Sequence, residues 1–256
     1  FPGCGSERLF GQVALATEAM LYDLGTTTVL PPGYLCCGFP QTTSGDAEEG
    51  RRISTDNRVL FHRMANTLNY LDIKTVIVSC GTCLDQLAHY GFTDIFPGCR
   101  LLDIHEYLAE KGVGLGPAVG TRYLYHDPCH SPMRTAPPTT VVGALMGGAV
   151  ALSDRCCGES GTLAVSRPDV STQVRARKRE ELTKGVEALR RDGADGRVTV
   201  LTSCPSCLQG LSRLGHETAT RADYVVVELA RRTLGPTWMA DFVTRVTHGG
   251  IERVLL

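Results

Sequence analysis

The chain has 256 residues, enough for two compact domains with cores of their own. Hydrophobic residues make up 43% of it and charged residues 21%, and 26 basic side chains face 27 acidic ones, a balance that disfavours a disordered chain and a nucleic-acid-binding protein. The sequence contains no apolar run long enough to cross a bilayer and no secretory leader pattern, so we expect a cytoplasmic protein. Its unusual feature is the number of cysteines, which is 11. Because cytoplasmic thiols stay reduced and an odd number cannot pair completely, we expect metal binding or redox chemistry rather than disulfides.

Strand and helix patterns alternate along the chain. Short β-branched runs predict strands, and longer segments with helical periodicity predict helices between them. In chain order the predicted elements are a helix over 9–24, a strand over 27–30, a helix over 47–71, strands over 75–79, 123–125 and 149–152, a helix over 170–191, a strand over 198–202 and a helix over 222–234. This order is typical of an α/β fold with parallel sheets, in which the loops after the strands build the functional site. The cysteines follow predicted strands, and we expect them in those loops.

Ten of the cysteines form a repeat. Each set has a single cysteine, then an adjacent pair followed by glycine, then a CxxC element, and the two sets match at offsets of 120 to 125 residues. The first set is Cys4, Cys36, Cys37, Cys80 and Cys83, and the second is Cys129, Cys156, Cys157, Cys204 and Cys207. A tandem duplication of this size predicts two pseudo-symmetric lobes, each a small parallel sheet flanked by helices.

The lobe boundaries follow from the repeat and from glycine content. We predict a first cysteine-rich lobe over 1–110, a linker over 111–120 with four glycines and one proline, and a second cysteine-rich lobe over 121–256. A predicted strand precedes Cys129, whereas only three residues precede Cys4. We therefore expect that the N-terminal strand of the first lobe is truncated and that the chain is a segment of a longer polypeptide.

The two CxxC elements are predicted at points where a strand gives way to a helix. The partial positive charge and the N–H groups of a helix N-terminus stabilise thiolates and anionic sulfur clusters. A CxxC element alone also fits a thioredoxin-like redox pair. A dithiol exchanger, however, needs none of the other three cysteines in each set.

A structural zinc ion is the other alternative. Zinc takes four ligands, which leaves one cysteine over in each set, and the side chains of adjacent cysteines diverge too much to bind one small ion without strain. Five thiolates therefore favour a polynuclear iron–sulfur site, while zinc in one lobe stays open. Gly38 and Gly158, which follow the adjacent pairs, would let the backbone turn tightly and approach a cluster.

The two cysteine motifs resemble the duplicated CCG cysteine-rich domain. This domain occurs in heterodisulfide reductase and in iron–sulfur components of glycolate, glycerol-3-phosphate and lactate oxidation systems. In that family a five-cysteine motif can hold a noncubane [4Fe–4S] cluster, and one motif holds zinc in some members. The resemblance implies two metal sites, whose ligands would be Cys4, Cys36, Cys37, Cys80 and Cys83 in the first lobe, and Cys129, Cys156, Cys157, Cys204 and Cys207 in the second.

Two further stretches, YHDPCH at 125–130 and CCGESGTLAVSRPDVSTQVRARK at 156–178, look like the carboxyl-terminal region of FAD/FMN-binding oxidoreductases of the D-lactate dehydrogenase type. That resemblance implies an electron-transfer domain of a flavin-linked 2-hydroxy-acid dehydrogenase, which accepts electrons from FAD or FMN on an upstream domain or partner subunit and passes them to a downstream acceptor. It allows peripheral membrane association. Heterodisulfide-reductase-like disulfide reduction at the lobe interface and a zinc-stabilised interaction module without redox activity are the alternatives.

The lobes differ in detail. Between the single cysteine and the adjacent pair lie 31 residues in the first lobe and 26 in the second, and Glu159 and Ser160 follow the second pair, so the two sites need not hold the same cofactor. His126 and His130 flank Cys129, and we consider them for a hydrogen bond to cluster sulfur or for proton transfer, against an alternative role in fixing the loop.

Three remaining features have plainer interpretations. We expect His105 in the core and Cys99, which has no counterpart in the second lobe, as a buried thiol without a ligand role. The basic run at 175–180 is interspersed with glutamates on a predicted helix and is interpreted as a solvated face, with docking of an acidic redox partner as the alternative.

Overall fold

A computed structural model describes residues 1–116, 123–159, 162–193 and 198–249 and the backbone of 254–255. The chain divides into two compact units, one formed by Phe1–Ile104 with Ala230–Leu256 and the other by His105–Leu229. The first cysteine set lies in the first unit and the second set in the second. Residues 117–120 of the predicted linker and Ser160 lie outside the described residues.

The described elements alternate as the sequence predicts. A π-helical turn over Gly5–Leu9 and a 3₁₀ turn over Ala88–Tyr90 accompany them. In chain order the elements are α1 (Gly11–Asp23), β1 (Thr28–Val29), α2 (Phe39–Thr43), α3 (Ala47–Thr67), β2 (Thr75–Val78), α4 (Gly81–Leu87), α5 (Phe92–Ile95), β3 (Arg100–Asp103), α6 (Ile104–Glu110), β4 (Tyr123–His126), α7 (Pro138–Met146), β5 (Ala151–Ser153), α8 (Leu163–Ser166), α9 (Pro168–Arg191), β6 (Val198–Thr202), α10 (Pro205–Thr218), β7 (Thr220–Tyr224), α11 (Val225–Leu234), α12 (Trp238–Thr247) and β8 (Val254–Leu255).

The second unit contains a four-stranded parallel sheet in the order β5-β4-β6-β7. His126 at the end of β4 stands opposite Ser153 of β5 and Thr202 of β6. The carboxyl ends of these three strands therefore lie side by side, and the cysteine loops that follow them meet at one edge of the sheet.

In the first unit the strands form two parallel pairs, β2 with β3 and β1 with β8. Asp46 is the N-cap of the long helix α3, and its carboxylate accepts a hydrogen bond from the Glu49 N–H at 3.0 Å. Farther along α3, Phe61 is buried and packs edge-on against Phe92 at 5.1 Å between ring centroids. Helix α3 thus packs against the apolar core that also contains Cys37 and Cys83.

The predicted fold class, α/β with small parallel sheets flanked by helices in two lobes, is confirmed. The helix predicted over 222–234 begins only at Val225, because the residues before it belong to β7. Strands β3, β7 and β8 have no predicted counterpart. Among the described residues no helix is both long enough and apolar enough to span a membrane.

The compact units differ from the predicted lobes at two segments. Residues 105–110 group with the second unit, where the Glu106 carboxylate accepts backbone hydrogen bonds from Arg134 at 2.7 Å and Thr135 at 2.6 Å. The C-terminal segment groups with the first unit, where Phe242 of α12 packs against Tyr22 of α1 at 5.8 Å. The predicted lobe boundaries remain a prediction from the repeat.

Candidate metal centres

Both CxxC elements lie at helix N-termini, as the sequence predicts. Cys80 caps α4 and Cys204 caps α10, each with an extended backbone, and Cys83 and Cys207 follow in the first turns. The N–H groups of a first helical turn have no partner within the helix and point towards this end. Each element therefore presents two sulfurs beside backbone donors.

The adjacent pairs depend on glycines with a left-handed backbone. Gly38 has φ 85° and Gly158 has φ 83°, a conformation that side chains other than glycine rarely adopt. Space is also limited, because a Cβ on Gly38 would lie 2.7 Å from the Gly50 carbonyl oxygen and one on Gly158 would lie 2.8 Å from Cγ of Arg175. The predicted tight turn after each pair is therefore present.

In the first unit the five thiols of the repeat form one continuous group. Cys36 is hydrogen-bonded to Cys4 and to Cys37, and Cys83 is hydrogen-bonded to Cys37 and to Cys80. Cys36, Cys37 and Cys83 are buried, while the other two are partly exposed. The structure thus brings together all five residues predicted for the first site.

The first group stabilises one thiolate. Hydrogen bonds from Cys37 and Cys4, only partly opposed by burial, lower the pKa of Cys36 to about 3. Its partners hold their own protons more tightly, since the hydrogen bond to Cys36 raises the pKa of Cys4 and raises that of Cys37 to about 12. A negative sulfur is therefore available at this site even in the metal-free protein.

In the second unit the sulfurs of Cys157 and Cys207 lie 3.3 Å apart. Cys157 is also hydrogen-bonded to Cys156, and Cys207 to Cys204. Cys129 is exposed, and its charge lies near enough to Cys156 to raise the pKa of that thiol. Four of the five residues predicted for the second site are thus in one buried or half-buried group, with the fifth at its exposed side.

The favoured thiolate of the second group is the second member of the adjacent pair. Hydrogen bonds from Cys156 and Cys207 hold the pKa of Cys157 far below its usual range. The hydrogen bond to Cys157 raises the pKa of Cys156, which also accepts the Gly158 N–H at 3.4 Å. In each unit, hydrogen bonds within the cysteine group therefore favour one thiolate at the adjacent pair.

The imidazole of His126 belongs to the second group. It is 1% exposed, and one of its ring nitrogens and the sulfurs of Cys157 and Cys207 all lie within 4.8 Å of one another. Nδ1 lies 3.1 Å from the Ser153 carbonyl oxygen. The sequence indicates His126 from its place beside Cys129, but the structure brings it to the two buried cysteines of other loops.

Lys178 is a residue of the site region that sequence reasoning missed. The interpretation of the basic run at 175–180 as a solvated face is wrong for Lys178, which is fully buried. Its Nζ donates to Oγ of Ser153 at 2.6 Å, to the Ser153 carbonyl at 3.1 Å and to Glu181 at 2.7 Å. Helical spacing places Lys178 on the inner face of α9 with Leu182, a signal that the charge run conceals.

The remaining predicted residues lie as follows. His105 is fully buried, with its ring 5.7 Å from that of Tyr224, as expected for a core residue. Cys99 is 3% exposed, and its thiol faces the Arg100 carbonyl at 3.6 Å. His130 is half-buried in the loop after β4, and its proposed role stays a prediction.

The donors of both groups fit soft or borderline transition metals. Thiolates favour zinc and iron–sulfur clusters, and imidazole suits zinc and iron. Nearby polar groups, such as the N–H of Gly158 beside Cys156, can bond to sulfur and stabilise negative charge there. The first group is made of sulfur alone, whereas the second adds a nitrogen.

Both cysteine motifs match a known protein family. The profile of the CCG family, described as a cysteine-rich domain, matches residues 1–88 and 123–212, and a domain of unknown function (DUF3400) matches residues 212–256. The chain is 26% identical over 217 residues to a fumarate reductase (CoM/CoB) subunit of Methanothermobacter marburgensis, a match that covers 81% of this chain and 40% of that protein.

Two bacterial relatives are similar at the same level. Lactate utilization protein A of Exiguobacterium sp. is 25% identical over 236 residues, 84% of this chain and 90% of that protein. The probable glycolate oxidase iron-sulfur subunit of Bacillus subtilis is 24% identical over 250 residues, 87% of this chain and 51% of that protein. The chain thus spans half or less of some relatives and most of others, and the profile covers both cysteine sets. The resemblance drawn from the cysteine motifs is confirmed, and the chain belongs to the CCG cysteine-rich domain family.

Proposed function

We propose that the chain is the iron–sulfur electron-transfer part of an oxidoreductase and acts in the cytoplasm. Its partner would be a flavin-dependent dehydrogenase domain or subunit, which oxidises a 2-hydroxy acid such as lactate or glycolate. Relatives named for lactate utilization and for glycolate oxidase support this substrate class. The observation that carries the proposal is the continuous group of five thiols in the first unit, Cys4–Cys36–Cys37–Cys83–Cys80 in order of contact.

The number of donors favours a cluster over a single ion at this first site. A zinc ion takes four ligands, so one of the five cysteines in this continuous group would stay outside its coordination shell. A [4Fe–4S] cluster, of noncubane type if all five sulfurs bind, would use them all. In the second unit we propose that Cys129, Cys156, Cys157, Cys204 and Cys207 form a metal site as well, either a cluster or zinc.

The chain's own residues would prepare the first site for a negative cluster. Cys36 supplies a thiolate at neutral pH, and the N-terminus of α4 faces Cys80 and Cys83. Burial of Cys37 and Cys83 excludes water from one side of the site. A cluster held there would accept one electron at a time from reduced flavin and release it to the next acceptor.

Anaerobic reduction tests the proposal. The chain, reconstituted with iron and sulfide, is mixed with photoreduced FMN, and we expect bleaching of the cluster's visible absorption together with reoxidation of the flavin. Cys37→Ser removes a buried sulfur from the middle of the five-thiol group and should lower the amplitude of the bleaching. Cys99→Ser, which also changes a buried cysteine of this unit, is the matched control and should leave the amplitude unchanged.

The outcome that would overturn the proposal is a chain that binds iron and sulfide but takes no electrons from reduced flavin or from a stronger reductant. Equal loss of amplitude in Cys37→Ser and Cys99→Ser would argue against the five-thiol group as the redox site.

A further inference from the structure

The second site contains a buried nitrogen that the cysteine repeat does not account for. In the described part of the chain, Nε2 of His126 has no nitrogen or oxygen partner. A buried polar atom without such a partner is costly, and a bound ion that takes up its lone pair would remove that cost. A ring nitrogen of His126 and the sulfurs of Cys157 and Cys207 lie within 4.8 Å of one another.

The other ring nitrogen fixes which tautomer the ring adopts. Nδ1 lies 3.1 Å from the Ser153 carbonyl oxygen, and because a carbonyl oxygen can only accept, Nδ1 carries the proton. Nε2 is then the ring nitrogen whose lone pair is available to a metal bound by Cys157 and Cys207. Histidines that bind metals commonly donate their other N–H to a carbonyl or carboxylate in this way.

Lys178 stabilises this orientation of the imidazole through its hydrogen bonds to Ser153. Its Nζ donates to the same Ser153 carbonyl at 3.1 Å and to Oγ of Ser153 at 2.6 Å, so the acceptor of the His126 hydrogen bond is itself held in place. Lys178 and Ser153 are both buried. The imidazole is therefore fixed by packed groups rather than by a mobile surface loop.

The first lobe has a different residue at the corresponding place. Phe1 precedes Cys4 by the same interval as His126 precedes Cys129. The ring of Phe1 packs against Phe61 at 6.3 Å between ring centroids. The first lobe thus carries an apolar ring at the sequence position that the imidazole has in the second.

The spacing of the three donors suits one ion. In a tetrahedral site with metal–sulfur distances of about 2.3 Å and metal–nitrogen distances of about 2.0 Å, the donor atoms lie about 3.5 to 3.8 Å apart. The 3.3 Å between the sulfurs of Cys157 and Cys207 and the 4.8 Å limit for the whole group are within a small adjustment of these values.

We propose that His126 is a metal ligand: its Nε2 and the sulfurs of Cys157 and Cys207 bind one transition-metal ion, so that the second site has nitrogen and sulfur ligands where the first has sulfur alone. The inference rests on the proposed function only in taking the second cysteine set as a metal site. The ion is either zinc or one iron of a cluster, since imidazole and thiolate suit both.

Cobalt(II) is the probe for this ligand set. The reduced, metal-free chain is titrated anaerobically with Co²⁺, and the visible bands, whose energy depends on the number of nitrogen and sulfur ligands, are compared between wild type and variants. His126→Phe, which copies the residue of the first lobe, should remove the mixed-ligand bands and weaken cobalt binding at the second site at least about tenfold. His216→Phe changes an exposed histidine of the same unit and should alter neither. Identical bands and affinity in wild type and a folded His126→Phe would overturn the proposal.

A second measurement does not depend on the folding of a variant. The wild-type chain is labelled with ¹⁵N-histidine, loaded with Co²⁺ and examined by pulsed electron paramagnetic resonance, where we expect an imidazole nitrogen coupled to the metal. Absence of that coupling would overturn the proposal. Two measurements on the anaerobically purified chain tell which ion is present. X-ray absorption of bound zinc detects the nitrogen ligand if the ion is zinc, and electron paramagnetic resonance of the reduced chain detects a coupled nitrogen if the ion is an iron of a cluster. A chain with the histidine-dependent cobalt site but without iron would contradict the proposed function alone, and a redox-active chain without the nitrogen would contradict only this inference.

Discussion

Cys36 and Cys157 are the two cysteines whose pKa the fold lowers. Hydrogen bonds from Cys37 and Cys4 lower the pKa of Cys36 to about 3, and those from Cys156 and Cys207 lower that of Cys157 as well. A lowered pKa means that the folded chain releases the proton before the unfolded chain does. The stabilisation is therefore present above the ordinary cysteine pKa of about 8.5 and is lost as the pH falls through the folded value.

The first prediction concerns these thiolates. In the reduced, metal-free chain at about pH 6, ultraviolet thiolate absorbance should persist, although ordinary cysteines are protonated there. Cys36→Ser should remove about half of it and Cys36→Ser with Cys157→Ser nearly all. Cys99→Ser serves as the control, because burial raises the pKa of Cys99. A titration with a single step near the ordinary value would contradict the hydrogen-bonded groups.

The second prediction compares two glycines with left-handed backbones. Gly33 has φ 76° with nothing within 4 Å of a built Cβ, whereas on Gly38 that atom would meet the Gly50 carbonyl at 2.7 Å. Gly33→Ala should cost about 1 kcal/mol of unfolding free energy, from conformation alone. Gly38→Ala should cost about 1–3 kcal/mol more, because the backbone must shift. Denaturant unfolding measures both, and equal costs would contradict the close approach.

At the residue level the sequence predicts the cysteines well and their neighbours poorly. The repeat identifies all five thiols that meet in the first unit, because spacing after strands is a local property of the chain. The orientation of His126 depends on the carbonyl of Ser153, 27 residues away, and no local pattern reveals such a contact. The burial of Lys178 could not be predicted because its charge suggests solvent. Its partner Glu181 lies three residues on, but the loop contact is made only in the folded state.

Among the elements, α9 has a specific task at the second site. Glu181 accepts the backbone N–H of Asp154 at 2.9 Å and of Arg155 at 3.2 Å, and Lys178 holds Ser153. These contacts fix the segment between β5 and the Cys156–Cys157 pair. The helix thus positions the cysteine loop in addition to covering the sheet.

The third prediction tests this role of α9. Lys178→Met should lower the unfolding free energy by about 2–3 kcal/mol, because it leaves Glu181 and the Ser153 carbonyl without their buried cation. Lys184→Met on the same helix changes an exposed lysine and should have little effect. Denaturant unfolding with and without metal measures both variants. Equal stability of the two variants would show that the buried ion pair does not hold the loop.

At this scale the long helices and five of the strands could be predicted, and β3, β7 and β8 could not. The run 198–202 coincides with β6, whose five residues are all buried. Strand β7, with sequence TRADY, carries charged residues on a partly exposed edge of the sheet and runs directly into α11. Its residues therefore have no continuous apolar pattern, and the helical periodicity that follows extends into part of the strand.

For the whole molecule the two sites are alike in layout and different in donors. Each cysteine set lies within its own compact unit and at the edge of its own apolar core. The first has five contacting thiols, and the second has a thiol group with His126 beside it. The duplication could be predicted from sequence, but this asymmetry depends on contacts between loops.

The fourth prediction follows from that separation. Because the effects of changes add when they act on independent sites, and each cysteine set lies in its own compact unit, Cys37→Ser and Cys157→Ser should each remove the metal of one site and leave the other nearly intact. The double variant should lose both. Metal content per chain, measured after anaerobic purification, checks this, and loss of all metal in either single variant would show that the sites depend on each other.

The central claim is that the five thiols of the first unit hold an iron–sulfur cluster that accepts electrons. Iron, acid-labile sulfide and zinc are measured in the anaerobically purified chain, followed by electron paramagnetic resonance of the reduced sample. The account predicts iron and sulfide in matching amounts and a signal on reduction that Cys37→Ser removes or strongly changes and Cys99→Ser preserves. Stoichiometric zinc without iron in either unit would contradict it.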